Sequence, residues 1–170
     1  MFTPTALPEA ARKPDLYASL AQQLTGLLQG EPDAIANAAN MSALLSDLLP
    51  DLNWAGFYFM RGSELVLGPF QGKVACVRIP VGRGVCGTAV EQRASVVVPD
   101  VHAFPGHIAC DSASRSELVV PLIGDGRVLG VLDLDSPHPD RFDEDDRAGC
   151  ERLVRIYLEA SDLSEGFGRF

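Results

Sequence analysis

ELVVPLIGDGRVLGVLDLD, residues 117–135, decides the fold. Two runs rich in Val, Leu and Ile, Glu117–Ile123 and Arg127–Asp135, flank Gly124-Asp125-Gly126, residue types that accept the positive φ angles of a tight turn. The stretch therefore predicts a β-hairpin. Side chains alternate along a strand, so Leu118, Val120 and Leu122 read as core on the first run, and Leu132 and Leu134 on the second. Glu117 opens the first strand, while Val131, Asp133 and Asp135 share the other face of the second. When the strands pair, three carboxylates converge on one patch. Solvated strand ends are the plainer reading of such acids. A pocket reading needs a cationic ligand or a transition state that turns positive to offset their repulsion and desolvation.

Outward from the hairpin the chain reads as one α+β domain. Asn53–Met60 and Glu64–Phe70 form a second hairpin about Arg61-Gly62-Ser63. Ala55, Phe57 and Phe59 share its core face. Trp54, Gly56 and Tyr58 share the other, either as a wall for a small ligand or as a second covered face. Ala75–Ile79 and Val96–Val98 are further short strands, and 85–93 fits one short helix. Residues 100–116 carry Pro, Gly, Ser, Asp and His without a period and read as a functional loop. Leu16, Leu20, Leu24, Leu27 and Leu28 mark a first helix stopped by Gly30. A second opens near Asp33 with Ile35, Ala38, Met41, Leu44, Leu45 and Leu48 as its apolar stripe. These two helices cover a sheet face or pair with a second subunit, so a homodimer is in view. Residues 143–163 form the last helix. The expectation is a single domain over 15–163, a mostly antiparallel sheet of about six strands with helices from both ends packed on it, a loose leader over 1–14 and a tail over 164–170.

The totals exclude several functions. The 170 residues carry a formal charge of −9, which speaks against a nucleic-acid partner and against an anionic membrane surface. No apolar run reaches the ~18 residues of a membrane-spanning helix. Prolines occupy the place of a signal peptide's apolar stretch, so a cytoplasmic location is expected. Four cysteines in such a setting are inert, metal-bound or redox-active rather than a disulfide framework.

Cys76, Cys86 and Cys110 fall with His102 and His107 inside the window that ends at Asp135. Zinc is the competing reading for Cys76, Cys86, Cys110 and His107. The cysteine spacings of ten and twenty-four, with no C-x-x-C, count against it, so neither metal nor cofactor is expected. The two histidines are read as ordering their loop. Gly82-Arg83-Gly84 lacks the lysine and spacing of a phosphate loop. Asp143–Asp146 is read as acid placed at a helix N-terminus, and Cys150 as a small buried hydrophobe.

NWAGFYF, the run from Ala75 through GVCGTAV, DVHAFPGHIACD, SE-VVPL and VLGVLDLDS resemble the free methionine-(R)-sulfoxide reductases, a family of GAF-domain enzymes. The resemblance covers roughly residues 53–147, and its most specific element is the cysteine trio. It implies that Cys110 attacks the sulfur of free L-methionine-(R)-sulfoxide and becomes a sulfenic acid. It further implies that Cys76 resolves it as a disulfide, that Cys86 is a secondary or alternative partner, and that thioredoxin returns the dithiol. Glu117, Asp133 and Asp135 would bind the substrate and promote oxygen loss, with Trp54 and Tyr58 walling the methyl-sulfur end. Arg83 and Arg115 are the cations available to a Cys110 thiolate. A non-catalytic GAF sensor for a small ligand or redox state is the alternative, and a methionine sulfoxide assay separates the two.

Overall fold

The computed structural model describes residues 2–6, 8, 11–106 and 112–163. Six strands, β1 (Trp54–Arg61), β2 (Glu64–Gly72), β3 (Arg78–Pro80), β4 (Val96–Val98), β5 (Ser116–Gly124) and β6 (Arg127–Ser136), form one sheet in the order β3-β2-β1-β6-β5-β4. Every neighbouring pair is antiparallel. The 117–135 hairpin forms as read, with Gly124 opposite Arg127. Asp125 and Gly126 turn with φ of 49° and 72°, the geometry that makes this pair of residue types suitable there.

Four helices complete the fold: α1 (Lys13–Leu28), α2 (Ala34–Leu48), α3 (Gly84–Gln92) and α4 (Glu144–Ala160). Helices α1, α2 and α4 bury Leu20, Leu24, Met41, Leu45, Leu153 and Tyr157 against Phe57, Phe59, Leu118, Leu132 and Leu134 of the sheet. The opposite face buries Trp54, Tyr58, Val119 and Val131 beneath Val85, Cys86, Ala89 and Val90 of α3. Both faces of β1 are therefore covered, by different layers. One face belongs to the main core and the other to the candidate site.

Several sequence expectations need correction. Helix α1 opens at Lys13, three residues ahead of Leu16, where the apolar pattern begins. Ile35 is exposed, because the buried stripe of α2 begins one residue earlier at Ala34 and runs through Asn37, Ala38, Met41, Leu44 and Leu45. Asn37 can lie inside because its amide donates to the Glu31 carbonyl at 2.8 Å and to Ser161 at 3.0 Å. Residues 75–77, the first part of the strand expected over Ala75–Ile79, lie outside any strand, and β3 begins only at Arg78.

The acids that open α4 do more than complement its dipole. Asp143 caps the helix through the amides of Asp145 and Asp146, and Asp146 reaches back to the Asp143 amide. Asp146 is also fully buried. It takes hydrogen bonds from Tyr17 at 3.0 Å and Arg141 at 3.0 Å, and it pairs with Lys13. Helices α1 and α4 are thereby stitched together where Gly149 lies so close to the Tyr17 ring that a Cβ would sit 2.1 Å from it. Removing one partner leaves the other charges desolvated. Asp146→Ala should cost about 3–5 kcal/mol in urea unfolding, and a loss well under ~1 kcal/mol would show that the cluster does not hold the two helices.

Candidate active site

The strand register builds the site. On β1 and β6, Trp54 stands opposite Asp135 and Gly56 opposite Asp133, while on β5 and β6 Glu117 stands opposite Asp135. Trp54, Gly56, Tyr58, Glu117, Asp133 and Asp135 thus share one face of the sheet. Trp54 stacks on Phe70 with centroids 5.2 Å apart and on Tyr58 at 5.9 Å. Gly56 makes that stack fit: a Cβ there would lie 2.3 Å from the Cβ of Phe70 and 2.7 Å from the Trp54 ring. Sequence reasoning missed Phe70. A register shift between Gly56 and Tyr58 places it opposite Gly56, which counting back from the turn does not reveal.

Across this wall lies Cys86. Helix α3 presses its buried side, Val85, Cys86, Ala89 and Val90, onto the sheet. Close approach at its first turn depends on Gly87, whose Cβ would meet the Pro80 carbonyl oxygen at 2.4 Å. The Cys86 thiol points at Glu117 Oε1, 4.0 Å away, and ligand atoms of Cys86, Glu117 and Asp133 all fall within 4.8 Å of one another. This trio is close enough to ligate a single cation, and it shares only Cys86 with the zinc set weighed from the sequence.

Electrostatics decide the protonation of these groups. Burial pushes Asp133 up to about 7, against the hydrogen bonds it accepts from Cys86 and Glu117. Glu117 is raised well above the usual carboxylate range, first by burial and then by repulsion from Asp133 and Asp135. Both acids are therefore biased toward their protonated forms relative to exposed carboxylates. Oδ1 of Asp133 is buried without a hydrogen-bond partner. Burial, then the charges of Asp133 and Glu117, also raise the Cys86 thiol, so Cys86 is held as a neutral thiol and is a poor nucleophile.

Trp54 and Tyr58 have polar ends that reach past the wall. Trp54 Nε1 donates to the Lys73 carbonyl at 3.1 Å, and the Tyr58 hydroxyl donates to the Cys76 carbonyl at 3.1 Å. Burial and the neighbouring acids raise the Tyr58 phenol, which therefore remains a donor. The two aromatics anchor the 73–76 segment over the site, and this is why it leaves the strand geometry expected of it. Cys76 is disulfide-bonded, whereas Cys86 and Cys150 are free and buried thiols.

Cys110 and His107 lie outside the described residues. His102 sits in a 3-10 turn, Val101–Ala103, where its backbone amide donates to Asp100 at 3.1 Å. Arg115 pairs with Asp100 at 3.4 Å, and Arg83 is exposed at the start of α3. Ser114, also missed from the sequence, is buried and accepts from Asn53 Nδ2 at 3.0 Å, fastening the loop's exit to the start of β1.

Comparison with known proteins gives this arrangement its context. Residues 39–157 match the GAF domain family. The free methionine-R-sulfoxide reductase of Escherichia coli strain K12 is 54% identical over 142 residues, covering 84% of this chain and 86% of that protein. Its counterpart in Saccharomyces cerevisiae is 44% identical over 152 residues, covering 85% and 84%. The X-ray structure of the Neisseria meningitidis free methionine-R-sulfoxide reductase in complex with its substrate superimposes with a TM-score of 0.87. It is 46% identical, over 92% of this chain and 94% of that one. On these similarities the chain belongs to the free methionine-(R)-sulfoxide reductases, a family of GAF-domain proteins whose fold it shares.

Proposed function

We propose that the chain reduces free L-methionine-(R)-sulfoxide to methionine, acting as a cytoplasmic oxidoreductase with its catalytic unit within residues 15–163. The observation that carries this reading is the buried acid pair of Glu117 and Asp133, which is biased toward its protonated form beside Trp54 and Tyr58 and beneath the disulfide-bonded Cys76. The similarity to a relative whose structure is a substrate complex supports it.

A sulfoxide sulfur becomes electrophilic when its oxygen is protonated. Glu117 supplies that proton, and Asp133 and Asp135 stabilise positive charge on sulfur and hold the substrate's ammonium group. The Cys110 thiolate attacks the activated sulfur. The oxygen passes to Cys110 as a sulfenic acid, and methionine leaves with the sulfur's two-electron reduction complete. The Cys76 thiol then condenses with the sulfenic acid, releasing water and forming a disulfide. Four cysteines are present, Cys76 is bonded, and Cys86 and Cys150 are free, which supports Cys110 as the partner. The neutral Cys86 thiol serves as a secondary resolving group and as a hydrogen-bond donor to the acids. Thioredoxin returns both cysteines to thiols.

The test is methionine released from four substrates: free (R)- and (S)-sulfoxides, and each epimer within a peptide. Release from the free (R) epimer alone is expected, because the buried acids Glu117 and Asp133 suit the free ammonium group that a methionine within a peptide chain lacks. Equal turnover of the peptide would defeat the reading. No methionine from any of them would favour the non-catalytic sensor.

A further inference from the structure

Six large hydrophobic side chains are exposed among the described residues, and three of them, Val74, Val77 and Val81, crowd into eight residues around Cys76. Val74 is 88% exposed and Val77 63%, and they flank the half-buried, disulfide-bonded cysteine on either side. Exposed apolar side chains concentrated at a reactive bond mark a contact surface. The same segment runs into β3, the terminal strand of the sheet, which leaves an outer edge to which an extended segment of another protein can add. Trp54 and Tyr58 hold the segment's carbonyls from beneath, so its other side is presented outward in a fixed form.

We infer that Val74, Val77 and the outer edge of β3 form the docking surface for a protein dithiol of the thioredoxin class, which attacks Cys76 rather than its disulfide partner. This rests on the reductase reading above and adds to it where the reductant binds and which sulfur it meets. A small thiol would need no such surface, because it reaches a half-buried sulfur without apolar contact. The partner's thiolate attacks Sγ of Cys76, the intramolecular S–S bond breaks, and the expelled thiolate is the proposed nucleophile Cys110. The partner's second thiol then attacks the mixed disulfide and releases Cys76. The partner leaves oxidised, having delivered two electrons, and both cysteines are again reduced.

The double substitution Val74→Ser, Val77→Ser changes two exposed side chains and leaves Cys76 and the acid wall intact. Turnover driven by thioredoxin should show KM for thioredoxin raised about tenfold, while turnover driven by dithiothreitol is unchanged. An unaltered KM for thioredoxin would overturn the docking surface. Equal slowing with both reductants would also overturn it, by showing that the valines serve the reduction step instead. In a second experiment, thioredoxin with its second active-site cysteine replaced by serine should be trapped on Cys76 in peptide mapping. Trapping on Cys110 or Cys86 would contradict the attack proposed. Failure of the wild-type chain to make methionine with either reductant would instead sink the reductase reading, and this proposal with it.

Discussion

Cys110→Ser should abolish release of methionine from the free (R)-sulfoxide, with a loss of at least about a thousandfold, while Cys86→Ser retains measurable turnover. The physical ground is the state of each thiol. Cys86 is enclosed by α3 and faces Glu117 and Asp133, so ionising it would place a third negative charge in an acidic, desolvated site. Cys150 is buried against Tyr17 on the far side of the sheet and is likewise pushed up, to about 12. Neither supplies a thiolate at neutral pH, and attack on sulfur requires one. Serine at 110 keeps the size of the side chain but cannot form a stable sulfenic acid. Steady-state kinetics with circular dichroism as a check on folding would decide it. Retained turnover in Cys110→Ser, or complete loss in Cys86→Ser alone, would transfer the nucleophile to another position.

Glu117→Gln and Asp133→Asn should each lower kcat by about 10²–10⁴ while leaving the fold intact. At 117 the amide fills the space but cannot pass a proton to the departing oxygen, and at 133 it cannot balance positive charge on sulfur. In the wild type, kcat should fall as pH rises and the last proton leaves the pair. Stability should fall with rising pH as well. Asp133 has a folded pKa of about 7, above the ~3.9 of an unfolded chain, so the fold favours its protonated form. Its contribution is therefore greatest below pH ~4 and declines as pH climbs to about 7. Asp133→Asn removes this penalty and should be more stable than wild type at pH 8, by about 1 kcal/mol or more, with a flatter pH profile. A variant that is both inactive and less stable at that pH would mean that the carboxylate supports the fold and is not strained by it.

How far the chain discloses these features depends on the range of the interactions involved. The 117–135 hairpin is legible because its β-branched runs, its turn residues and its alternation all act within nineteen residues. The convergence of Glu117, Asp133 and Asp135 follows directly from that register. Cys86 beside Glu117 is a different matter. They are 31 residues apart and meet only because α3 crosses the sheet with its buried side toward β5 and β6. Asp146 looked like a dipole partner, since its cations and phenol come from Arg141, and from Lys13 and Tyr17 at the other end of the chain. Residues 74–77 carry β-branched side chains suited to a strand, yet hydrogen bonds from Trp54 and Tyr58 claim the carbonyls of Lys73 and Cys76. The motif-level resemblance points to the family, which periodicity alone does not.

One measurement bears on the whole proposal: a single turnover of the Cys76→Ser, Cys86→Ser variant with free L-methionine-(R)-sulfoxide, followed by trapping with dimedone and peptide mapping. One equivalent of methionine and a dimedone adduct on Cys110 are expected. Absence of methionine, or an adduct at Cys150 with Cys110 unmodified, would contradict reduction between a thiolate at that position and the acid wall.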